Sequence, residues 1–202
     1  IRLIYNGVEV LKTSYDINEL RIKYRIVAEN IITLIGSLEP VKGQENLLKI
    51  IRILKNKRDD FEVLLIGEGS NRKDLESKIS LWNLPVRLLG HIEEVEEILF
   101  LSDIIVNTSN SEAISFAILE ALSNQKPVVA FNIDGIREVI DNGINGYLIE
   151  FKDFNDFADR LNYLLDNKSL AKSLGKAGLN KVREQFTLKR MVKQIEGVYL
   201  EG

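Results

Sequence analysis

The sequence contains no cysteine. Disulfides, thiolate metal sites and cysteine nucleophiles are therefore excluded, and the composition suits a reducing compartment. It contains a single histidine, His91. One imidazole cannot build a histidine-rich metal centre, and no carboxylate spacing around it supplies partners. No apolar run approaches the ~18 residues of a membrane span, and no signal peptide is visible. Excess positive charge is also missing. The 27 lysines and arginines are interspersed with 30 aspartates and glutamates, for a net charge of −3. That balance carries no nucleic-acid footprint.

What remains is ordinary soluble composition over 202 residues, enough for one well-buried α/β domain and too little for two full ones. The first residue is Ile1, already inside sequence that reads as ordered, so the chain is expected to be a piece of a longer protein. Short β-branched runs alternate with helical periods. Strands are expected at Ile31–Ile35, Val63–Ile66, Val86–Leu89, Ile104–Val106, Val128–Phe131 and Gly146–Ile149. Helices are expected at Glu45–Leu54, Arg72–Leu81, Val95–Leu101, Ile136–Asp141 and Phe154–Leu165, with a further one following the Ile104–Val106 strand. This alternation predicts an α/β fold, a parallel sheet with helices on both faces, binding ligands beyond the C-terminal strand ends. No repeat or linker interrupts 31–165, so one domain is expected. Ahead of it, Ile1–Glu9 reads as a strand running into an Asn6-Gly7 turn, and Asp16–Tyr24 as a charged helix held by Leu20. From Ser169 onward the chain reads as charged helices anchored by Phe186 and Tyr199.

The chemistry concentrates in Asn107–Ala121. A polar loop, Asn107–Ser111, follows a buried strand, and a helix is expected from about Ala113. Ile114, Ala117, Ile118, Ala121 and Leu122 make one apolar stripe, while Phe116 and Leu119 fall on the other side at about 100° per residue. Such a helix is apolar nearly all round and should be buried. Glu120 sits among these residues. A carboxylate there either reaches solvent through a gap or needs donors and a partner. Glu112 lies eight positions earlier, just before the helix, where backbone N–H groups favour anions. Two carboxylates that accept hydroxyls, beside a helix N-terminus that accepts phosphate, suit a sugar or ribose attached to a phosphate.

The run Ser111-Glu112-x7-Glu120-Ala121, followed by Lys126-Pro127-Val128-Val129 and Gly135-x-x-Glu138, resembles the donor-binding half of the family-four retaining glycosyltransferases. These have the GT-B arrangement of two Rossmann-like domains, and the resemblance extends from Asn6 to about Tyr199. It implies that Glu112 touches the transferred sugar as the catalytic-site carboxylate and that Glu120 holds the ribose hydroxyls. The backbone of Ala113, Ile114, Ser115 and Phe116 is then expected near the sugar and diphosphate. The loop Gly36–Gly43 resembles the family's Gly-Arg…Lys-Gly segment. Lys42 matches its phosphate-binding lysine, although a solvated lysine is the alternative, and Ser37 stands where arginine is usual. Gly90-His91-Ile92 resembles the loop that passes the nucleobase, so His91 and Ile92 are expected close to the base and not in catalysis. The family's Glu-Gly-Phe-Gly is here Glu112-Ala113-Ile114-Ser115, with both glycines lost.

Other motifs are weaker. Gly67-Glu68-Gly69 lacks the third glycine of a dinucleotide fingerprint, because Arg72 holds that place. Ser109, Ser111 and Ser115 sit in no nucleophile elbow. Glu138 reads as a capping carboxylate.

The resemblance implies residues 1–202 as a single sugar-nucleotide-binding domain: lead-in 1–30, core 31–165 and C-terminal helices 166–202, with an N-terminal acceptor domain absent. The implied activity is retaining transfer of a hexose-type sugar to a hydroxyl acceptor in glycan or polysaccharide biosynthesis, the fragment alone being inactive. The implied donor is a UDP-sugar or GDP-sugar, without a metal, since no Asp-x-Asp motif is present. Implied partners are the missing domain and, through it, a glycan or lipid-linked acceptor, with no nucleic acid. The expected location is the cytoplasm, or the inner membrane face reached through the missing domain. Two alternatives stand beside this: a non-catalytic nucleotide- or partner-binding module derived from such a transferase, and a flavodoxin-like or receiver-type signalling domain. The latter would need acidic residues clustered at strand ends, which this chain lacks.

Overall fold

A computed structural model describes residues 3–10 and 14–200 of the chain. Six parallel strands form one sheet in the order β3-β2-β1-β4-β5-β6. They are β1 (Asn30–Ile35), β2 (Phe61–Ile66), β3 (Val86–Gly90), β4 (Ile104–Asn107), β5 (Val128–Phe131) and β6 (Gly146–Ile149). Successive residues of a strand point to opposite faces, and the core divides accordingly. Ile32, Leu34, Val63, Leu65, Val129 and Phe131 pack with helices α2 (Gln44–Leu54), α3 (Arg72–Leu81) and α7 (Phe154–Asp166). Their neighbours Ile31, Leu64, Ile105, Val128 and Ala130 pack on the other face. There they meet α1 (Ile17–Lys23), α4 (Val95–Leu101), α5 (Phe116–Ser123) and α8 (Lys168–Gln185). With both faces covered, the inner strands can be apolar throughout.

Strand order reverses between β1 and β4, where Ile32 pairs with Ile104 and Thr33 with Ile105. In an open parallel sheet, the loops leaving two such strands diverge to opposite faces and leave a crevice between them. The loops after β1 and β4 therefore border the crevice.

Several expectations change. Residues 3–9 are not a strand of the sheet, and Ile1 and Arg2 lie outside the described residues. The segment instead pairs with the chain just after α8, where Val8 N–H donates to Phe186 O at 2.9 Å and Leu188 N–H to Val8 O at 3.0 Å. Helix α5 starts at Phe116, with Ser115 in the extended N-cap conformation, so Ala113 and Ile114 precede it. Nor is it apolar all round in its packing: Phe116 is 51% exposed, and Leu119 joins the buried stripe. Helix α6 covers only Asp134–Arg137. The expected continuation to Asp141 turns away because the Asn145 side chain bonds both Asp141 N–H and Val139 O, at 2.8 and 3.0 Å.

At the C-terminal end, Phe186 is buried as expected, but Tyr199 is 82% exposed. The last helix, α9 (Leu188–Leu200), buries no residue.

Helix α8 approaches the α5–β5 turn so closely that a Cβ on Gly175 would lie 1.8 Å from Gln125 O. Alanine is favoured over glycine inside a helix by about 1 kcal/mol, whereas forcing backbone apart in a filled interior costs about 1–3 kcal/mol. Gly175→Ala should therefore lower the melting temperature followed by circular dichroism. A variant melting at or above the parent would contradict this contact.

Candidate functional site

The loops leaving β1 and β4 are joined by hydrogen bonds. After β1 the chain makes a single 3-10 turn, Pro40–Lys42, and Gly43 adopts a left-handed conformation (φ 65°) that opens α2. A Cβ on Gly43 would meet Thr108 O at 2.0 Å, so glycine lets the two backbones touch. Thr108 Oγ1 donates to Gly43 O at 2.9 Å, and Asn46 Nδ2 donates to Thr108 O at 3.1 Å. Asn110 adds two bonds, from Nδ2 to Pro40 O and from its N–H to Val41 O, both 2.8 Å. Asn46 and Thr108 are buried, and these bonds satisfy groups whose burial would otherwise be costly.

This joint brings Lys42 to Glu112 across 70 residues of sequence. Lys42 Nζ lies 3.0 Å from Oε1 and 2.8 Å from Oε2 of Glu112, and Ser109 Oγ donates to Oε2 at 3.1 Å. Glu112 is thus doubly held, and Lys42 is not a solvated lysine. The backbone of Glu112 and Ala113 is backed by Gly135 after β5, where a Cβ would meet their carbonyl atoms at 2.4 Å.

Beyond Glu112, residues 113–115 are irregular. Helix α5 then begins without a side-chain cap on its N-terminus. Among the described residues, the N–H groups of Phe116, Ala117 and Ile118 have no backbone acceptor, and Leu119 N–H is the first to find one, Ser115 O. One turn later Glu120 faces a cleft of about 280 Å³ with Phe116, Glu96, Gly7, Val8 and Glu9 along its walls. No hydrogen bond to the Glu120 carboxylate is found among the described residues. Burial raises its pKa above the ordinary glutamate value, and the negative charge of Glu96 raises it further. Among the described residues Glu120 has no partner, and it is a half-buried acceptor facing a cleft.

The remaining expected residues are not drawn together. His91 is exposed on the loop after β3, while Ile92 packs against the Leu20–Ile98 cluster, and neither lines the Glu120 cleft. Ser37 is exposed, and its carbonyl, not its hydroxyl, is used, accepting from Gln44 Nε2 at 2.7 Å. Gly67 and Gly69 pack against the backbone of Gly36–Leu38 as a close turn. Glu138 ends α6 instead of capping its start, and accepts from Tyr5 Oη at 2.8 Å. Asn46, Thr108 and Asn110 escaped sequence reasoning. Asn46 had a signal, as a polar residue within the buried face of α2. Among the described residues no acidic or histidine cluster could hold a metal, and no helix is long and apolar enough to cross a membrane.

Comparison with known proteins identifies the family and the fold. The family model for Glycosyl transferases group 1 matches residues 16–181. An N-acetyl-alpha-D-glucosaminyl L-malate synthase of Bacillus anthracis is 28% identical over 100% of this chain and 54% of its own length. A UDP-Gal:alpha-D-GlcNAc-diphosphoundecaprenol alpha-1,3-galactosyltransferase of Escherichia coli is 30% identical, over 100% and 54%. The structure of Anabaena HepE in complex with UDP-glucose superposes with a TM-score of 0.92 at 24% identity, covering 100% of this chain and 57% of that one. The chain spans about half the length of the curated relatives it matches. Its sheet is a Rossmann-like half of the GT-B fold, and the chain belongs to the group 1 glycosyl transferases.

Proposed function

We propose that this chain is the donor-binding half of a retaining glycosyltransferase, which binds a nucleoside diphosphate sugar and presents a hexose-type sugar to a hydroxyl acceptor. The observation that carries the reading is the segment Glu112–Glu120. It has a paired carboxylate at one end, an unpartnered carboxylate at the other and the free N–H groups of α5 between them. The diphosphate meets those N–H groups and Lys42, which together offset its charge without a divalent ion. Glu120 accepts the ribose hydroxyls in its cleft, and Glu112 accepts hydroxyls of the transferred sugar. The backbone of Ala113–Phe116 lies along the sugar and diphosphate, and His91 and Ile92 pass the base. UDP is the favoured nucleotide, because the Escherichia coli relative is named for a UDP-linked donor.

In this reading residues 1–30 lead in from a preceding acceptor domain, 31–165 form the core and 166–202 complete it. The acceptor, a glycan or a lipid-linked sugar, is met by the other half of the protein at the membrane face or in the cytoplasm. Transfer needs both halves.

Two substitutions test the assignment, with binding followed by titration calorimetry. Glu120→Gln keeps the size but removes charge and one acceptor oxygen. It should weaken UDP and UDP-glucose by a similar factor, roughly 5-fold to 30-fold for a loss of about 1–2 kcal/mol. The same substitution should stabilise the fold at neutral pH. A carboxyl whose pKa is raised by folding costs stability above that pKa, and the cost disappears below the unfolded value. The gain in melting temperature should thus be present at pH 7 and fade toward about pH 4. Unchanged affinity for both ligands together with the stability gain would leave Glu120 without a ligand role.

Lys42→Ala should weaken both ligands by about 1.5–3 kcal/mol, with a smaller effect as salt rises. Equal dissociation constants for parent and variant at low salt would remove the phosphate assignment.

A further inference from the structure

Lys42 and Glu112 are each assigned a different part of the donor, yet in the free protein they occupy each other. Both carboxylate oxygens of Glu112 are committed to Lys42 Nζ, at 3.0 and 2.8 Å, and Oε2 also takes the Ser109 hydroxyl at 3.1 Å. The side chains are 30% and 10% exposed respectively. We infer that this ion pair is a latch that makes the site discriminate a sugar nucleotide from the bare nucleoside diphosphate. The inference rests on the donor-site reading above and goes beyond it.

The argument is one of charge and acceptor count. With the pair closed, the lysine and the carboxylate cancel, so the loop offers the diphosphate no net positive charge from this source. Glu112 holds two of the three ammonium N–H donors, so a phosphate oxygen that engages Lys42 with more than the third draws it away from Glu112. That leaves a carboxylate, 10% exposed, with only Ser109 as donor, and an uncompensated, nearly buried charge is unfavourable. A bare nucleoside diphosphate cannot relieve that loss. A sugar nucleotide can, because hydroxyls of its sugar replace the lysine as donors to Glu112. The same pair thus penalises the product that retains no sugar more than the substrate that carries one, which favours departure of the spent nucleotide.

The latch has to open by side-chain rotation. The backbones on either side are held by the Gly43–Thr108 contact, the Asn46–Thr108 bond and the two Asn110 bonds. Ser109 is buried and stays beside Glu112 when the lysine leaves.

Binding of UDP and of UDP-glucose to the 202-residue chain tests this, using Glu112→Gln, Lys42→Ala and the double variant. Glu112→Gln frees Lys42 without removing bulk. It should tighten bare UDP by about threefold to tenfold, the scale of opening one partly exposed ion pair. It should also weaken UDP-glucose or leave it unchanged, so that the preference for the sugar nucleotide collapses. In the Lys42→Ala background the same change should affect UDP much less, because the effect passes through the lysine. If Glu112→Gln leaves UDP affinity unaltered while Lys42→Ala weakens it, the latch is wrong and the donor site stands. An effect as large without Lys42 as with it would mean simple repulsion by Glu112, and would also overturn the latch. If no variant binds either ligand at millimolar concentration while circular dichroism shows each folded, the donor-site reading itself falls, and the latch with it.

Discussion

The candidate site depends on two backbones touching where the strand order reverses. Gly43 and Thr108 lie on loops that diverge to opposite faces of the sheet, and any side chain at Gly43 would drive them apart. Because they touch, Lys42 from one loop and Glu112 from the other share a few ångströms of space. The polar groups needed to hold that contact, Asn46, Thr108 and Asn110, are bonded to one another and to backbone, so their burial is not left uncompensated. The crevice follows from topology, but its chemistry follows from this one contact.

Glu112 and Glu120 are the same residue type, eight positions apart, in opposite electrostatic settings. Glu112 has a cation and a hydroxyl within hydrogen-bonding distance. Glu120 has a half-buried cleft and a second carboxylate, Glu96, as its neighbour. Folding therefore disfavours the charged form of Glu120. A protein selected for stability alone would replace Glu120 with a neutral residue. Retaining a carboxylate with no partner among the described residues, one turn from uncapped helix N–H groups, is the kind of local cost that a ligand can offset.

The fold was largely legible because its strands are short β-branched runs with helices of unmistakable period between them; α3, α4, β5 and β6 match their expected bounds. Misreadings occurred where a distant contact overrode local pattern. The apolar segment before Val8 looked like a strand, but its partners are the α8–α9 connection, invisible to periodicity. Ala113 and Ile114 continue the helical period of α5 backwards, yet the chain stays irregular until the Ser115 cap. The Asn145 side chain, eight residues past Arg137, holds Asp141 and Val139 and keeps α6 short. Within the site, the carboxylates and the lysine could be picked out by charge in unusual places. Their pairing could not, since it depends on a joint between residues about 65 positions apart in sequence. Tyr199 was misread because an aromatic near the chain end on an amphipathic helix looks like an anchor whether or not anything lies beneath it.

That last helix has a kinetic consequence. α9 has 13 residues and buries none of them, while α8 beside it buries six. Isolated helices shorter than ~12–15 residues are marginal in water, and among the described residues α9 is held only by a half-buried stripe, Leu188, Met191, Gln194 and Gly197, and by the bond from Leu188 N–H to Val8 O. Its amides should open by local fraying, independently of the sheet, whose inner strands open only with the whole domain. In deuterated water the chain would then lose its protons in two well-separated waves, with the boundary close to Thr187.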